Sequence, residues 1–216
     1  MQRHSMLSII AILALITALV APAYASCVRS IPYTTFNNSP FNPYPLDKNY
    51  TKGFYAEIVN NLVYNTTTNK AAIVRLHFGE SSGSGAYLEL SYWGNKELHI
   101  WYNDGTSSIE IGVSYWESGN TTKVYVSEDG VLSVKDYKGN YAVKNYGIGA
   151  VTLYYVGGHG ETTAKIADSG YVTVEVSDYA SSGDASGATE TVLTWLPLII
   201  TFAMLGVVLG MIKKFT

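Results

Sequence analysis

Three stretches of the sequence place aromatic, acidic and imidazole side chains at every second position. Tyr87, Glu89, Ser91 and Trp93 alternate with Leu88, Leu90 and Tyr92; Glu97, His99 and Trp101 alternate with Leu98, Ile100 and Tyr102; Glu110, Gly112, Ser114 and Trp116 alternate with Ile111, Val113 and Tyr115. A period of two belongs to a strand whose successive side chains point to opposite faces. The polar and aromatic sets are therefore expected on one surface and the aliphatic sets beneath it. Flat aromatic rings set among carboxylates and an imidazole suit the apolar faces and hydroxyls of sugar rings. Tyr87, Glu89, Trp93, His99, Trp101 and Trp116 are the candidate ligand-binding residues, with Gly112 leaving a low spot beside His99. The same pattern also serves cross-strand pairing that merely stabilises a sheet, or a face covered by another segment.

Other chemistry finds little support. Gly79-Glu80-Ser81-Ser82-Gly83 has the letters of a nucleophile elbow, but that turn needs a helix after its serine and a strand pattern follows here. Gly157-Gly158-His159-Gly160 follows an apolar run yet lacks the Lys-Ser/Thr ending of a phosphate loop, and reads as a glycine-rich turn. His77, His99 and His159 lie on separate elements with no zinc-site spacing, so no metal or cofactor is expected from the residues. His77, two positions from Arg75, reads as a surface strand residue. No catalytic constellation emerges, and the chain is expected not to be an enzyme.

The elements that must hold these residues read as strands. Period-two runs fall at 54–61, 71–78, 86–93, 97–103, 109–116, 123–127, 131–136, 141–144, 151–156 and 171–176, separated by turn chemistry such as Gly94-Asn95, Asn103-Asp104-Gly105, Glu128-Asp129-Gly130 and Lys138-Gly139-Asn140. Only 161–167 reads as a helical turn. Ten short strands with close turns predict an all-β fold, an antiparallel two-sheet sandwich or jelly roll. One register follows from parity. Keeping Leu88, Leu90 and Tyr92 on the same side as Leu98, Ile100 and Tyr102 requires an odd loop, which Gly94–Lys96 supplies. Tyr92 then faces Leu98, Leu90 faces Ile100, Ser91 faces His99 and Glu89 faces Trp101. In the next strand Ile109, Ile111, Val113 and Tyr115 are expected inward.

The stretches Ala72-Ile73-Val74-Arg75-Leu76-His77-Phe78-Gly79, Tyr87-Leu88-Glu89-Leu90, Val124-Tyr125-Val126 before Asp129-Gly130, Val151-Thr152-Leu153-Tyr154-Tyr155-Val156-Gly157-Gly158 and Ser169-Gly170-Tyr171-Val172-Thr173-Val174 together resemble a concanavalin A-like jelly roll of the laminin G type, over residues 52–176. The resemblance implies a sandwich that binds glycans or protein partners, often through loops at one rim and sometimes with calcium. The sequence departs from the pattern in lacking a cluster of Asp and Asn calcium ligands. It also lacks the E-x-D-x-x-E strand of the related glucanases.

The rest of the chain speaks of location. Arg3 and His4 precede an apolar stretch, and Ala23-Tyr24-Ala25 fits a processing site, so residues 1–25 read as a cleaved signal peptide, with an uncleaved anchor or a lipidated Cys27 as the other readings. Residues 192–212 are uncharged, and a helix of that length reaches about 31 Å, the thickness of a hydrocarbon core. Lys213 and Lys214 follow it, which puts a short cytoplasmic tail at 213–216 and the rest outside, in a cell membrane or viral envelope. Gly206 and Gly210 form a GxxxG pair for helix contact. Residues 26–51, with Pro32, Pro40, Pro43 and Pro45, read as an extended arm, and 177–191 as a Ser/Gly-rich stalk. Asn37, Asn49, Asn65 and Asn120 head sequons compatible with a glycoprotein.

Charged residues make up 14% of the chain against 47% hydrophobic, with 14 basic and 17 acidic residues and a net charge of −3, which excludes a disordered tail, a coiled coil and a nucleic-acid partner. A lone cysteine leaves the outer domain without an internal disulfide. Abundant Tyr, Ser, Thr and Gly resemble the composition of archaeal surface and archaeal-virus proteins. The expectation is a membrane-anchored sandwich that binds a glycan or glycosylated surface protein. The other reading is a structural subunit of a surface layer, pilus or viral envelope, self-associating laterally or by strand donation from the arm.

Overall fold

A computed structural model describes residues 26–80 and 85–179. The strands are β1 (Cys27–Pro32), β2 (Asn42–Tyr50), β3 (Phe54–Asn60), β4 (Val63–Tyr64), β5 (Ala71–His77), β6 (Tyr87–Trp93), β7 (Glu97–Asn103), β8 (Ser108–Tyr115), β9 (Thr121–Val126), β10 (Val131–Lys135), β11 (Tyr141–Gly147), β12 (Leu153–Gly160), β13 (Ala167–Ser169) and β14 (Tyr171–Asp178). A single helical turn, α1 (Tyr33–Phe36), follows β1. The strands form two six-stranded antiparallel sheets, ordered β1-β14-β3-β9-β10-β11 and β2-β12-β5-β6-β7-β8, plus the small ribbon β13-β4. This is the two-sheet sandwich that the period-two pattern predicts.

Alternation sets the layers. In β3, Phe54, Ala56, Ile58 and Asn60 are buried while the residues between them are partly exposed. The same rule places Leu132 and Val134 of β10, Leu88 and Leu90 of β6, and Leu98 and Ile100 of β7 in one core shared by both sheets. Burial of such side chains contributes about 1.5–3 kcal/mol each, the term that offsets chain ordering where no disulfide helps.

Residues 26–51 are largely extended, in β1 and β2, but the helical turn α1 lies between these strands, and the segment belongs to the sandwich and is not an arm beside it. β1 pairs with β14 at the edge of the first sheet, and β2 pairs with β12 at the edge of the second. Ile31, Phe36 and Tyr50 lie fully inside the core. Pro43 and Pro45 are tolerated because an edge strand has a side with no partner to receive an N–H. The helical turn lies at α1, whereas residues 161–164 are bends without helix.

The β6–β7 register is the one that parity requires: Tyr92 faces Leu98, Ser91 faces His99, Leu90 faces Ile100 and Glu89 faces Trp101. β8 departs from expectation. Trp101 pairs with Glu110 but Ile100 pairs with Gly112, so Ile111 is an extra residue. This bulge reverses the parity of everything after it. Gly112, Ser114 and Trp116 turn toward the core side, and Val113 and Tyr115 turn out.

Among the described residues no helix is long and apolar enough to cross a membrane. The expected signal peptide (1–25), span (192–212), Gly206–Gly210 pair and tail lie outside the described residues, as do Ser81 to Gly83 and all of the stalk beyond Tyr179.

Candidate functional site

The outer face of the sheet β2-β12-β5-β6-β7-β8 collects the expected chemistry. Cross-strand pairing puts Tyr87 beside His77, Glu89 beside Arg75 and Ser91 beside Ile73. On the other side of β6 the neighbours are Asn103, Trp101 and His99. Tyr155, Gly157 and His159 of β12 continue these rows. Tyr87, Glu89, Trp93, His99 and Trp101 thus share one surface.

The surface has a covered half and an open half. Over β12 and β5, Phe41 folds down from the segment before β2, with its ring centroid 5.9 Å from His77, 6.1 Å from Tyr155 and 6.2 Å from His159. Gly157 makes room for it: a Cβ there would meet Phe41 Cζ at 2.5 Å. Glycine in a strand marks such a close approach, so Gly157-Gly158-His159-Gly160 is part of β12 and not a turn. His77 is correspondingly buried, at 3% exposure, and not a surface residue. It stacks on Tyr155 at 4.7 Å and 20°. Its Nδ1 accepts the Gly79 N–H at 3.3 Å, which leaves the proton of the neutral ring on Nε2. Burial first and the Arg75 charge second push the pKa of His77 down. The same two causes, in the same order, lower that of His159.

Arg75 and Glu89 mark the boundary between the halves. The Arg75 Nε donates to Glu89 Oε2 at 2.8 Å, Nη2 lies 2.8 Å from the same oxygen, and the guanidinium sits 4.2 Å over the Tyr87 ring. Ser91 Oγ donates to Glu89 Oε1 at 3.1 Å. Both carboxylate oxygens are engaged, so Glu89 orients Arg75 and Ser91.

Over β6, β7 and β8 the surface is open. Trp93 and Trp101 are partly exposed, and Trp93 packs against His99 with ring centroids 5.9 Å apart. His99 stands between two carboxylates: Nδ1 contacts Glu110 and Nε2 lies 3.4 Å from Glu97 Oε2. An imidazolium donates to both, a neutral ring to one. The Asn95 amide first and His99 second hold the Glu97 carboxyl below the usual range. Two partly exposed indoles, an imidazole and two half-exposed carboxylates lie together here, groups that can stack on a ring and hydrogen-bond hydroxyls.

Trp116 is not part of this face. The β8 bulge buries it to 3% exposure, with its indole N–H donating to the Trp93 carbonyl at 3.0 Å and its ring against Tyr64 and Tyr92. Gly112 leaves no low spot beside His99 either. It faces inward, where a Cβ would meet Val143 Cγ2 at 2.7 Å, and Val113 is the residue opposite His99. Glu110 lies on this surface as its alternation predicts, and Phe41 and Arg75 complete it with no counterpart in the period-two pattern of β6 to β8. The signal for Phe41 lay in the paired glycines of β12.

The sequons differ in setting. Asn37 Nδ2 donates to the Ala167 carbonyl at 2.9 Å, and its Oδ1 accepts the Ile166 and Ala167 N–H groups, so this amide is a structural clamp. Asn65 Nδ2 donates to Asp168. Asn49 and Asn120 are exposed. Among the described residues no group of three or more His, Cys, Asp or Glu is placed to hold a metal ion.

No family model matches the chain, and no curated protein matches it. Solved structures do. A mutant of the GH43 protein BlXynB from Bacillus licheniformis is 9% identical with a TM-score of 0.39, aligning 59% of this chain with 28% of that one. A fructofuranosidase from Schwanniomyces occidentalis, solved with fructose, is 10% identical with a TM-score of 0.44, over 74% of this chain and 35% of that one. The carbohydrate recognition domain of Emp46p, in a metal-free form, is 10% identical with a TM-score of 0.45, over 72% and 88%. The chain therefore spans about a third or less of each of the first two, and no activity is carried over from any of the three.

Proposed function

We propose that this protein is a non-catalytic carbohydrate-binding module, displayed on the outside of a cell or virus by its C-terminal apolar segment, and that it takes a saccharide on the open half of the outer face. One observation carries the reading: Trp93 and Trp101 remain partly exposed on either side of His99, itself flanked by Glu97 and Glu110. Exposed indoles cost solvation unless something covers them, and a sugar face is the ligand that also uses the polar groups between. Strand donation by residues 26–51 forms no part of the reading, because β1 and β2 are already paired within their own sandwich.

The test is a glycan panel presented to the full-length, detergent-solubilised chain, with tryptophan fluorescence as a second readout. At least one neutral saccharide is expected to bind and to perturb the fluorescence. Trp101→Ala is expected to weaken that binding by about tenfold or more, the range for loss of one stacking ring from a site, with the unfolding midpoint little changed. Retention of full affinity by Trp101→Ala would remove the site from this face.

A further inference from the structure

A second site opens where the face ends. A cleft of 340 Å³ lies between the β6–β7 loop, the end of β8 and the β10–β11 turn, walled by Tyr115, Trp116 and Tyr137 and carrying Lys96 and Lys138. Tyr115 joins it to the sugar-binding face, since it stands opposite Glu97 in the β7–β8 ladder and is 61% exposed.

The charges in this cleft are arranged unequally. Asp136 lines it, with both carboxylate oxygens held by its own turn and by Ser114. Oδ1 accepts the backbone N–H groups of Lys138 and Asn140 at 2.9 and 2.8 Å, and Oδ2 accepts the Ser114 hydroxyl at 2.9 Å. The two ammonium groups have no such partner. Lys96 Nζ lies 3.9 Å above the Trp116 ring and Lys138 Nζ 5.3 Å from the Tyr137 ring, and among the described residues neither joins a carboxylate in an ion pair. Two carboxylates line the cleft beside them: Asp136, held in its own turn and buried at 7% exposure, and Glu117.

Lys96 also occupies a position that a lysine does not favour. It ends the three-residue β6–β7 loop at φ 75°, the left-handed conformation for which this kind of hairpin loop ordinarily uses glycine. Glycine would keep the backbone bonds made there, from the Lys96 N–H to the Trp93 carbonyl and from the Trp116 N–H to the Lys96 carbonyl, both at 3.0 Å. What glycine would remove is the ammonium over the indole. Strain borne at a cleft by a residue that the turn itself does not need is the pattern of a functional side chain.

We propose that this cleft binds an acidic saccharide unit, its carboxylate or sulfate held between Lys96 and Lys138 and its ring against Tyr115. The inference rests on the carbohydrate reading above and assigns the charge of one unit of the ligand.

The test compares immobilised uronate-containing, sialylated and sulfated oligosaccharides, each beside its carboxyl-reduced or desulfated form, for binding to the full-length chain. An acidic member is expected to bind about tenfold tighter than its neutralised form, the worth of a charge-assisted hydrogen bond, and to lose that margin as salt is raised. Lys96→Gly and Lys138→Ala are each expected to erase the margin while leaving the neutral form's affinity intact, and Glu117→Gln to widen it. Lys96→Gly is also expected to leave the unfolding midpoint close to unchanged, relief of the left-handed backbone offsetting loss of the contact with Trp116, so that a loss of the margin is not a loss of fold. If no acidic member is preferred, the inference is overturned while neutral binding that depends on Trp101 still upholds the sugar-binding face. If inorganic sulfate or acetate alone binds as tightly as the saccharide, the cleft is a plain anion site and the saccharide assignment falls.

Discussion

Residues on the covered half of the outer face set a pH limit on the fold. His77 and His159 are both held neutral, chiefly by burial and secondarily by Arg75, so their folded pKa values lie below the ordinary value of 6.5. The Gly160 carbonyl and then Glu89 act the other way on His159, more weakly than either of those causes. The unfolded chain then binds more protons than the folded one once the pH drops below about 6.5, and stability falls with pH through that window. Urea midpoints of the full-length chain are expected to be flat from pH 8 to 7 and to decline between about pH 6.5 and 5. A His77→Gln, His159→Gln double variant should show a shallower decline over the same range. An unaltered slope in that variant would place the titrating groups elsewhere. None of this burial was legible in the sequence. Alternation with Arg75 puts His77 on the correct face, but which part of that face is covered depends on Phe41, 36 positions away, reaching across β12.

The strands show why local alternation places two of the three candidate tryptophans correctly and misplaces the third. β6 and β7 are joined by an odd loop, and their apolar rows leave only one register that buries both, so local pattern alone places Trp93, His99 and Trp101. β8 carries an equally regular alternation, yet the regularity misleads, because a bulge at Ile111 exchanges the two faces midway. The apolar residues that result on the outside, Val113 at 51% and Tyr115 at 61% exposure, are the cost of turning Trp116 inward. Gly112 held the one available hint, since an in-strand glycine often marks a bulge or close approach, here against Ala142 and Val143 of β11. The two tryptophans are therefore expected to behave oppositely. Trp116→Ala empties a buried site and should destabilise by about 3–5 kcal/mol, whereas Trp101→Ala removes a partly exposed cross-strand partner and should cost about 1 kcal/mol or less. Equilibrium denaturation of the two variants checks the assignment, and similar costs for both would contradict the bulge.

At the scale of the whole molecule, the N-terminal segment decides whether the sandwich closes. Composition describes most of residues 26–51, as extended and proline-rich, though not the helical turn at Tyr33–Phe36, but composition says nothing of long-range pairing, and the partners of this segment, β14 and β12, lie more than a hundred positions away. Its contribution is distributed over both sheets. β1 supplies an edge to one and β2 an edge to the other, Ile31, Phe36 and Tyr50 fill the core between them, Asn37 clamps the 166–167 backbone, and Phe41 roofs the outer face. Tyr50 also reaches across to the Val176 carbonyl with its hydroxyl at 3.1 Å. A detachable arm would leave a folded, better-behaved domain when removed. Here deletion of residues 28–51 opens two sheet edges at once and strips three fully buried side chains, each worth about 1.5–3 kcal/mol, from a domain whose total stability is on the order of 5–15 kcal/mol. The deleted chain is expected to lose cooperative unfolding and to aggregate, measured by near-ultraviolet circular dichroism and size-exclusion chromatography. A deleted chain that kept a cooperative transition and eluted as a monomer would show that the sandwich closes without its two edge strands, and that the segment serves a neighbour instead.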